Sequence, residues 1–381
     1  MRNRQSQDSR TATPHFARET AEKASVKSLR GSASLHENAL LDALDKVIES
    51  YYLETREGLF FAVKGLEHPP DRIISVVRYA PDPENGNREK GGITYRRLYH
   101  FPEQEQFLHS SYPHFLAYDP VFQKILQSVP KSTVQRVYDP RRRLQEMAQT
   151  NPGMAVEEDA VAFAKLLQRE SGVPLSDIGI SGSLLIGLHT EHSDLDISVF
   201  GAWGCRTVYV TLQKLLDSGS VEDLRRLEMD GIEELYSHRV VDPNIPFGEF
   251  APLEKSKICQ GSFRRRPYFI RFIREAREAG DPYGTVQYTP LGRATITAVI
   301  DDDQEAIFTP CRYALTNVRV LEGSPAAVTE IISFRGRFCE QARKGDIVAA
   351  AGTAEQIESS TGIRYRLLLG NSTEDHMVVR R

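Results

Sequence analysis

The chain has 381 residues, of which 40% are apolar and 26% charged, and its formal net charge is −4. This length favours two or three domains, and the composition is that of an ordinary globular protein. No apolar run approaches the roughly 20 residues needed to cross a bilayer, and the slight negative charge excludes a global attraction to nucleic acid.

The first segment, residues 1–34, is rich in Ser, Thr and Arg and poor in large apolar side chains, which predicts a disordered tail. It lacks the apolar core of a signal peptide, so we expect a cytoplasmic protein that makes no contact with a membrane. The four cysteines are widely spaced and include no C-x-x-C pair. They are expected to be reduced and structural.

Residues 35–150 are predicted to form an N-terminal α+β domain. The runs "GLFFAVKG", "DRIISVVRYAP" and "GGITYRRLYHF" are apolar or β-branched and are separated by Pro, Asn and Gly, a pattern that indicates a small β-meander. Aromatic and aliphatic residues then recur at mixed helical spacing. A Pro-Gly break near residue 150 marks the predicted boundary.

Residues 151–287 are predicted to form an α/β core with a polar, partly helical insertion at 220–266. "VEEDAVAFAKLLQRESG" predicts an amphipathic helix that ends at Gly172, and "CRTVYVTLQKLLDSG" predicts a second helix. Between them "DIGIS" has the length of a strand, and "PYFIRFI" predicts a further one.

Residues 288–381 contain strand-length runs at regular spacing, which predict a small β-barrel or sandwich. The fold class predicted for the whole chain is therefore α+β. The runs are "GRATITAVI", "EAIFTP", "YALTNVRVL", "EIISFRGRF", "DIVAAAGTAEQI" and "YRLLLG".

The stretch "DIGISGSLLIGLHTEHSDLDISVFG" carries the clearest chemistry of the chain. In an alternating strand Asp194 and Asp196 share one face, opposite the apolar side chains. Two carboxylates so placed repel each other unless a cation lies between them or one binds a proton. Mg²⁺, or Mn²⁺, suits such a pair because these ions take oxygen ligands and leave room for water and phosphate.

The Gly-Ser turn that precedes the aspartates is suited to phosphate. Gly182 lets the backbone approach an anion closely, and N–H groups that open the following helix attract negative charge. Ser183 adds a hydroxyl donor.

Together, Ser181-Gly182-Ser183 and Asp194-Leu195-Asp196 resemble the signature of the nucleotidyltransferase superfamily related to DNA polymerase β. The motif itself covers about 20 residues, with compatible flanking elements over roughly 155–217. The chain also resembles an uncharacterised prokaryotic group that carries this domain.

This resemblance implies a polymerase β-like core of a mixed sheet with helices. It implies that Gly182 and Ser183 hold the triphosphate of a nucleotide such as ATP, and that Asp194 and Asp196 are catalytic metal ligands. The implied activity is metal-dependent transfer of a nucleoside monophosphate to an acceptor hydroxyl, and RNA, a protein and a small molecule are all open as acceptors.

Members of this superfamily place a third carboxylate on a later strand, where this chain has Arg271. We expect Arg271 to bind the nucleotide, and Asp242 or Asp301 to be a substitute acid. Two alternatives stay open: a nucleotide- or RNA-binding module without turnover, and a serine hydrolase, since "GISGS" is one residue short of the G-x-S-x-G elbow.

Several other polar residues have both a functional and a structural interpretation. His189 and His192 are expected to cap or pack, and Asp301–Asp303 to form an exposed turn. Arg264–Arg266 fit a polyanion contact and a solvated loop equally well. The run Ser333–Phe338 mixes aromatics with arginines as nucleic-acid surfaces do, although a place in the barrel core is the preferred interpretation.

Overall fold

The computed structural model describes residues 38–150, 153–239, 245–278, 280, 282–323 and 327–380. The chain divides into two compact units, residues 1–46 and residues 47–381, and in the first unit residues 38–44 are helical. The tail expected at 1–34 lies outside the described residues. Within the described ranges, no helix is long and apolar enough to cross a membrane.

The second unit combines helices with three β-sheets in its described part, which confirms a mixed α+β fold class. The first sheet has the strand order β4-β5-β3-β2-β1-β8, with β7 paired to β3 and to β6. The predicted meander is confirmed, because its three runs form β2, β3 and β5 as antiparallel neighbours. The elements are β1 Tyr52–Thr55, β2 Phe60–Val63, β3 Arg72–Pro81, β4 Arg88–Lys90, β5 Ile93–Arg97, α1 Phe101–Ser111, β6 Leu116–Asp119, β7 Lys124–Pro130 and β8 Val134–Tyr138.

The second sheet has the order β11-β12-β13-β10-β9 and is mixed, because β10 is parallel to β13 and antiparallel to β9. The predicted helices and strands of this region are all present. The elements are α2 Pro140–Gln149, α3 Ala155–Ser171, β9 Ile178–Ile180, α4 Gly182–Ile186, β10 Leu195–Phe200, α5 Ala202–Ser218, β11 Leu224–Arg226, α6 Met229–Arg239, α7 Phe247–Ser256, β12 Gln260–Phe263 and β13 Arg266–Ile273.

Local sequence explains how these elements begin, end and pack. Helix α3 carries acids in its first turn and ends at Gly172, whose φ of 75° is left-handed. In β10 the alternate residues Leu195, Ile197 and Val199 are fully buried in one core with α2, α3 and α5. Alternation thus turns Asp196 to the opposite face, toward the candidate site.

The third sheet closes into a barrel, because its order β14-β15-β16-β18-β17 is completed by pairing of β17 with β14, and β19 extends β17. The prediction of a strand for "EAIFTP" is wrong. This run forms a turn, and a single β-bridge joins Phe308 to Phe272. The strands are β14 Gln287–Asp302, β15 Cys311–Gly323, β16 Val328–Ser333, β17 Ile347–Ser359, β18 Gly362–Leu369 and β19 His376–Arg380.

All four cysteines, Cys205, Cys259, Cys311 and Cys339, are buried and free, as predicted. Helix α4 is held against the first sheet: Leu185 and Ile186 belong to an apolar cluster with Tyr52, Phe60 and Tyr95. Apolar packing therefore fixes the turn that precedes α4.

Candidate functional site

The two halves of the sequence motif are in direct contact. Strands β9 and β10 pair antiparallel, and the backbone N–H of Ser181 donates to the carbonyl of Asp196 at 2.8 Å. Gly182 has a φ of +59°, and a Cβ at this position would lie 2.0 Å from Asp196 Oδ2. Only glycine fits there, because the aspartate already fills the space a side chain needs.

Hydrogen bonds between buried hydroxyl groups connect the Gly182 turn and strand β10 to Ser50. Ser181 Oγ donates to the carbonyl of Ser50 at 2.9 Å, and Ser198 Oγ donates to Ser50 Oγ at 2.9 Å. All three serines are buried. Because buried polar groups without partners are destabilising, these bonds favour one arrangement of the turn relative to β10.

Ser183 is held by the loop that leads to the aspartates. Its Oγ donates to Ser193 Oγ at 3.3 Å, and Ser193 Oγ also accepts from the N–H of Thr190 at 2.9 Å and from Arg88 at 3.2 Å. The nucleophile position of the G-x-S-x-G elbow is Ser181, which is buried and donates to the carbonyl of Ser50. In the described part of the chain, neither the Ser181 hydroxyl nor the Ser183 hydroxyl is hydrogen-bonded to a base such as histidine, which an activated nucleophile needs. This arrangement does not support the serine-hydrolase alternative.

The negative charges of Asp194 and Asp196 repel each other in the absence of a cation. Asp194 is open to solvent on one side, yet the surrounding protein removes part of the hydration of its carboxyl. That loss of hydration, and then the charge of Asp196, raise the pKa of Asp194 to about 6, while Arg97 and Arg88 act in the opposite direction. A bound cation would relieve this repulsion.

Arg271 lies beside Asp196, as part of the strand parallel to β10. Its NH1 donates to Asp196 Oδ1 at 3.3 Å, and about a quarter of each side chain is exposed. Register pairs Asp196 with Phe269 and Ser198 with Arg271, so these four side chains share one face. Strand β13, which contains no acidic residue, thus presents an aromatic ring and a guanidinium on this face.

The two substitute acids are not brought to this face. Asp301 is exposed at the end of β14, and no described contact joins it to Asp194 or Asp196; Asp242 lies outside the described residues. Sequence reasoning missed Glu234 of α6, whose charge adds to the negative potential at Asp194. No spacing signal marks Glu234, because it lies in the polar insertion.

The donor set fits a cation that brings most of its own ligands. Within the described residues, no group of three or more His, Cys, Asp or Glu side chains is arranged to hold a metal ion. Asp194 and Asp196 supply hard oxygen donors only, and Mg²⁺ commonly binds to one or two carboxylates while retaining water and phosphate ligands. The pair therefore suits a divalent cation that keeps several ligands other than protein side chains.

The flanking basic and histidine residues are mostly structural. Arg266 pairs with Asp159 at 3.2 Å and donates to the carbonyl of Glu191, so it braces the loop before Asp194. Arg264 also pairs with Asp159, at 3.3 Å. Loss of hydration lowers the pKa of His189, whose Nε2 lies 3.6 Å from Glu157. A neutral histidine whose side chain is only 10% exposed agrees with the packing interpretation.

Comparison with known proteins adds a relative without a described function. An uncharacterised protein of Methanocaldococcus jannaschii is 26% identical over 331 residues, which cover 85% of this chain and 95% of the archaeal protein. No family model matches the chain. No solved structure matches it either.

Proposed function

We propose that this protein is a metal-dependent nucleotidyltransferase, which transfers a nucleoside monophosphate from a nucleoside triphosphate to an acceptor hydroxyl. One observation carries the proposal: the Gly182 turn lies directly on Asp196, whose Oδ2 is 2.0 Å from the ideal Cβ position. Asp194 lies two residues before Asp196, and its neighbour Ser193 accepts a hydrogen bond from Ser183 of the turn at 3.3 Å. The turn whose backbone N–H groups would bind phosphate and the Asp196 carboxylate that would bind a cation are therefore in contact.

In the proposed reaction, the acceptor oxygen forms a bond to the α-phosphorus while the bond from that phosphorus to the bridging oxygen of the β-phosphate breaks. Pyrophosphate leaves with the electron pair of that bond, and the hydroxyl proton passes to solvent. Bound Mg²⁺ or Mn²⁺ supplies neutralisation of the phosphate charge. The chain itself contributes the carboxylate oxygens and the position of the triphosphate.

Arg271 has a defined place in this proposal. Without nucleotide, its guanidinium is paired with Asp196. A guanidinium binds phosphate oxygens in a bidentate manner. When the metal–nucleotide complex binds, Arg271 therefore exchanges Asp196 for the triphosphate, and Asp196 coordinates the metal. Arg88 and Arg97, whose charges already act on Asp194, are then available to the same phosphates.

A second candidate, a nucleotide-binding module without turnover, is favoured by one specific observation. Strand β13 contains no acidic residue, and Arg271 and Phe269 occupy its face toward Asp196. A site with two carboxylates can still bind a metal–nucleotide complex, although it lacks a third group to deprotonate the attacking hydroxyl.

The test of the proposal uses the purified full-length chain, each nucleoside triphosphate labelled at the α-phosphate, and three pools of acceptors: total RNA, cell protein and a small-molecule extract. We expect label in one acceptor pool, with equal release of pyrophosphate, in Mg²⁺ or Mn²⁺ and not in EDTA. The variant Asp194→Asn should abolish the transfer. The matched control Asp301→Asn, which removes an exposed barrel carboxylate, should not.

The outcomes separate the two candidates. Metal-dependent binding of a triphosphate without transfer to any pool favours the module without turnover. Absence of metal-dependent binding of any nucleoside triphosphate contradicts both candidates.

A further inference from the structure

A cavity of about 710 Å³ lies between the first sheet and the barrel. Its walls include residues after β2, the β6–β7 hairpin and strands β16 and β18. Neither the residues of the Gly182 turn nor Asp194 and Asp196 are among the described residues that line it. The cavity thus shares no described lining residue with the Gly182 turn or the two aspartates, and its volume is in the range of small-molecule sites.

Arg335 is a cation of this cavity that lacks a carboxylate partner. Its Nε donates to the carbonyl of Gly370 at 3.1 Å, and its guanidinium lies 5.3 Å from the centre of the Phe101 ring. Among the described residues, no carboxylate lies within salt-bridge distance of it. Burial, and then the charges of Arg78 and Arg337, lower the pKa of Arg335 to about 10, and the charge of Glu49 opposes this only in part. Nearby negative charge would therefore be favourable.

Other cations of the cavity are only partly neutralised. Arg366 and Lys124 share one carboxylate, Glu355, with Arg366 Nε at 2.8 Å and Lys124 Nζ at 3.5 Å from its two oxygens. Arg366 and Lys124 line the same cavity as Arg335, so two of its positive charges share one negative charge. The described lining holds seven Lys and Arg side chains and four Glu side chains, two of which pair with Arg274 and Arg312. The remaining excess of positive charge in a half-enclosed cavity concentrates anions.

Phe334 supplies a ring that is free to stack. It lines the cavity next to Arg335 and makes no ring or cation–π contact within the described part of the chain. By contrast, Phe122 is already stacked on Tyr288, with ring centres 5.0 Å apart. The run 333–338 is thus divided between two roles, because Phe338 is in the barrel core while Phe334 and Arg335 face the cavity.

We propose that this cavity binds a nucleoside monophosphate unit, with the phosphate on Arg335 and the base stacked on Phe334. A guanidinium fork matches phosphate oxygens, and an aromatic face accepts any base. The shared chemistry fits a free mononucleotide or the end of a single-stranded RNA, and the experiment below separates these sources. An alkyl ligand would leave the charge of Arg335 without a counter-ion in a half-buried place.

This inference goes beyond the proposed transferase and does not depend on it. Binding in the cavity needs neither the metal nor the aspartates. It is therefore measured in EDTA and in the Asp194→Asn background, where the candidate site cannot hold a metal–nucleotide complex. If no transferase activity is found, binding of a mononucleotide in the cavity can still be measured, and the reverse also holds.

The experiment is equilibrium titration of the full-length chain with AMP, adenosine, ribose 5-phosphate, inorganic phosphate and a short single-stranded RNA, all in EDTA. We expect AMP to bind at least about tenfold more tightly than the three fragments, because both the phosphate and the base contribute. Arg335→Gln should weaken AMP about tenfold or more, and Phe334→Leu about fivefold or more. The control Arg319→Gln removes an exposed arginine from the same barrel and should change nothing.

Each further outcome has a defined meaning. Tighter binding of the RNA than of AMP assigns the site to an RNA end, and equal binding assigns it to a free nucleotide. Equal affinity for AMP and ribose 5-phosphate, or for AMP and adenosine, overturns the proposal, as does no AMP or RNA binding at millimolar concentration. If Arg335→Gln fails to fold, Arg335→Lys replaces it, because lysine keeps the positive charge and loses the guanidinium fork. The proposal is then tested by the affinities of the ligand series for the wild type and for Phe334→Leu.

Discussion

Arg271 donates a hydrogen bond to Asp196 across 3.3 Å, from the strand that runs parallel to β10. The pair explains how a carboxylate so close to Asp194 is held in the absence of a cation. It also makes Arg271 a competitor of any cation for Asp196, because the same oxygens cannot serve both fully.

Replacing Arg271 by glutamine should change metal and nucleotide affinity in opposite directions. Without nucleotide, Mn²⁺ should bind about threefold to tenfold more tightly, since the competing positive charge is gone. Nucleoside triphosphates should bind about tenfold more weakly, since a charge-assisted contact to phosphate is lost. Titration of Mn²⁺ followed by electron paramagnetic resonance measures the first effect, with Arg319→Gln as control. Unchanged Mn²⁺ affinity would contradict the competition.

Replacing Asp194 by asparagine should leave the metal-free protein no less stable at pH 8. The folded chain raises the pKa of Asp194 to about 6, above the value of about 3.9 in an unfolded chain. The folded state thus holds this proton more tightly, so the contribution of Asp194 to stability declines as pH rises from about 4 to about 6. Because solvent screens this exposed carboxylate, the gain at pH 8 is about 1 kcal/mol or less.

Urea denaturation in EDTA at pH 4.5 and pH 8 checks this sign. The stability of the asparagine variant minus that of the wild type should increase with pH. A difference that decreases with pH would show that the Asp194 carboxylate stabilises the metal-free fold.

Replacing Asp196 by asparagine should have the opposite effect on metal-free stability. This change leaves Arg271 without its hydrogen-bonded carboxylate, and the free energy of unfolding should fall by about 1 kcal/mol. Denaturation of the two single variants side by side tests the contrast. Equal effects of Asp194→Asn and Asp196→Asn would remove Arg271 as the reason for a difference.

Replacing Gly182 by alanine should damage both the fold and the site. The added Cβ would lie 2.0 Å from Asp196 Oδ2, so the aspartate must move, and we expect a loss of about 1–3 kcal/mol in stability. Gly187→Ala is a matched control, because Gly187 also has a positive φ, +70°, and nothing lies within 4 Å of its Cβ position. Similar loss of metal-dependent nucleotide affinity in both variants would attribute the effect to backbone strain alone.

Periodicity and turn residues predicted the α+β class and many of the helices and strands, but not β6 and β7, which lie in the stretch with mixed helical spacing. The alternation of apolar and polar residues in β10 placed Leu195 and Ile197 in the core and Asp196 on the other face, as found. Gly172 ends α3 as predicted. The run "EAIFTP" misled because its apolar residues are buried by a turn that packs on β13 rather than by a ladder of strand pairs.

The surroundings of the aspartates could not be predicted in the same way. Arg88, Arg97 and Glu234 act on Asp194 from β4, β5 and α6. Their positions depend on how separate sheets and helices pack, and local sequence patterns do not contain that information. For the same reason, the cavity lined by Phe334 and Arg335 has no signature beyond a short run of aromatic and basic residues.

The most direct test of the central claim is the affinity of the full-length chain for nucleoside triphosphates in MgCl₂ and in EDTA, measured for the wild type and for the double variant Asp194→Asn, Asp196→Asn. We expect at least one triphosphate to bind the wild type about tenfold or more tightly in MgCl₂. The double variant should lose this metal dependence. Equal wild-type affinity in both buffers, or a double variant that keeps the metal effect, would contradict a metal–nucleotide site at Asp194 and Asp196.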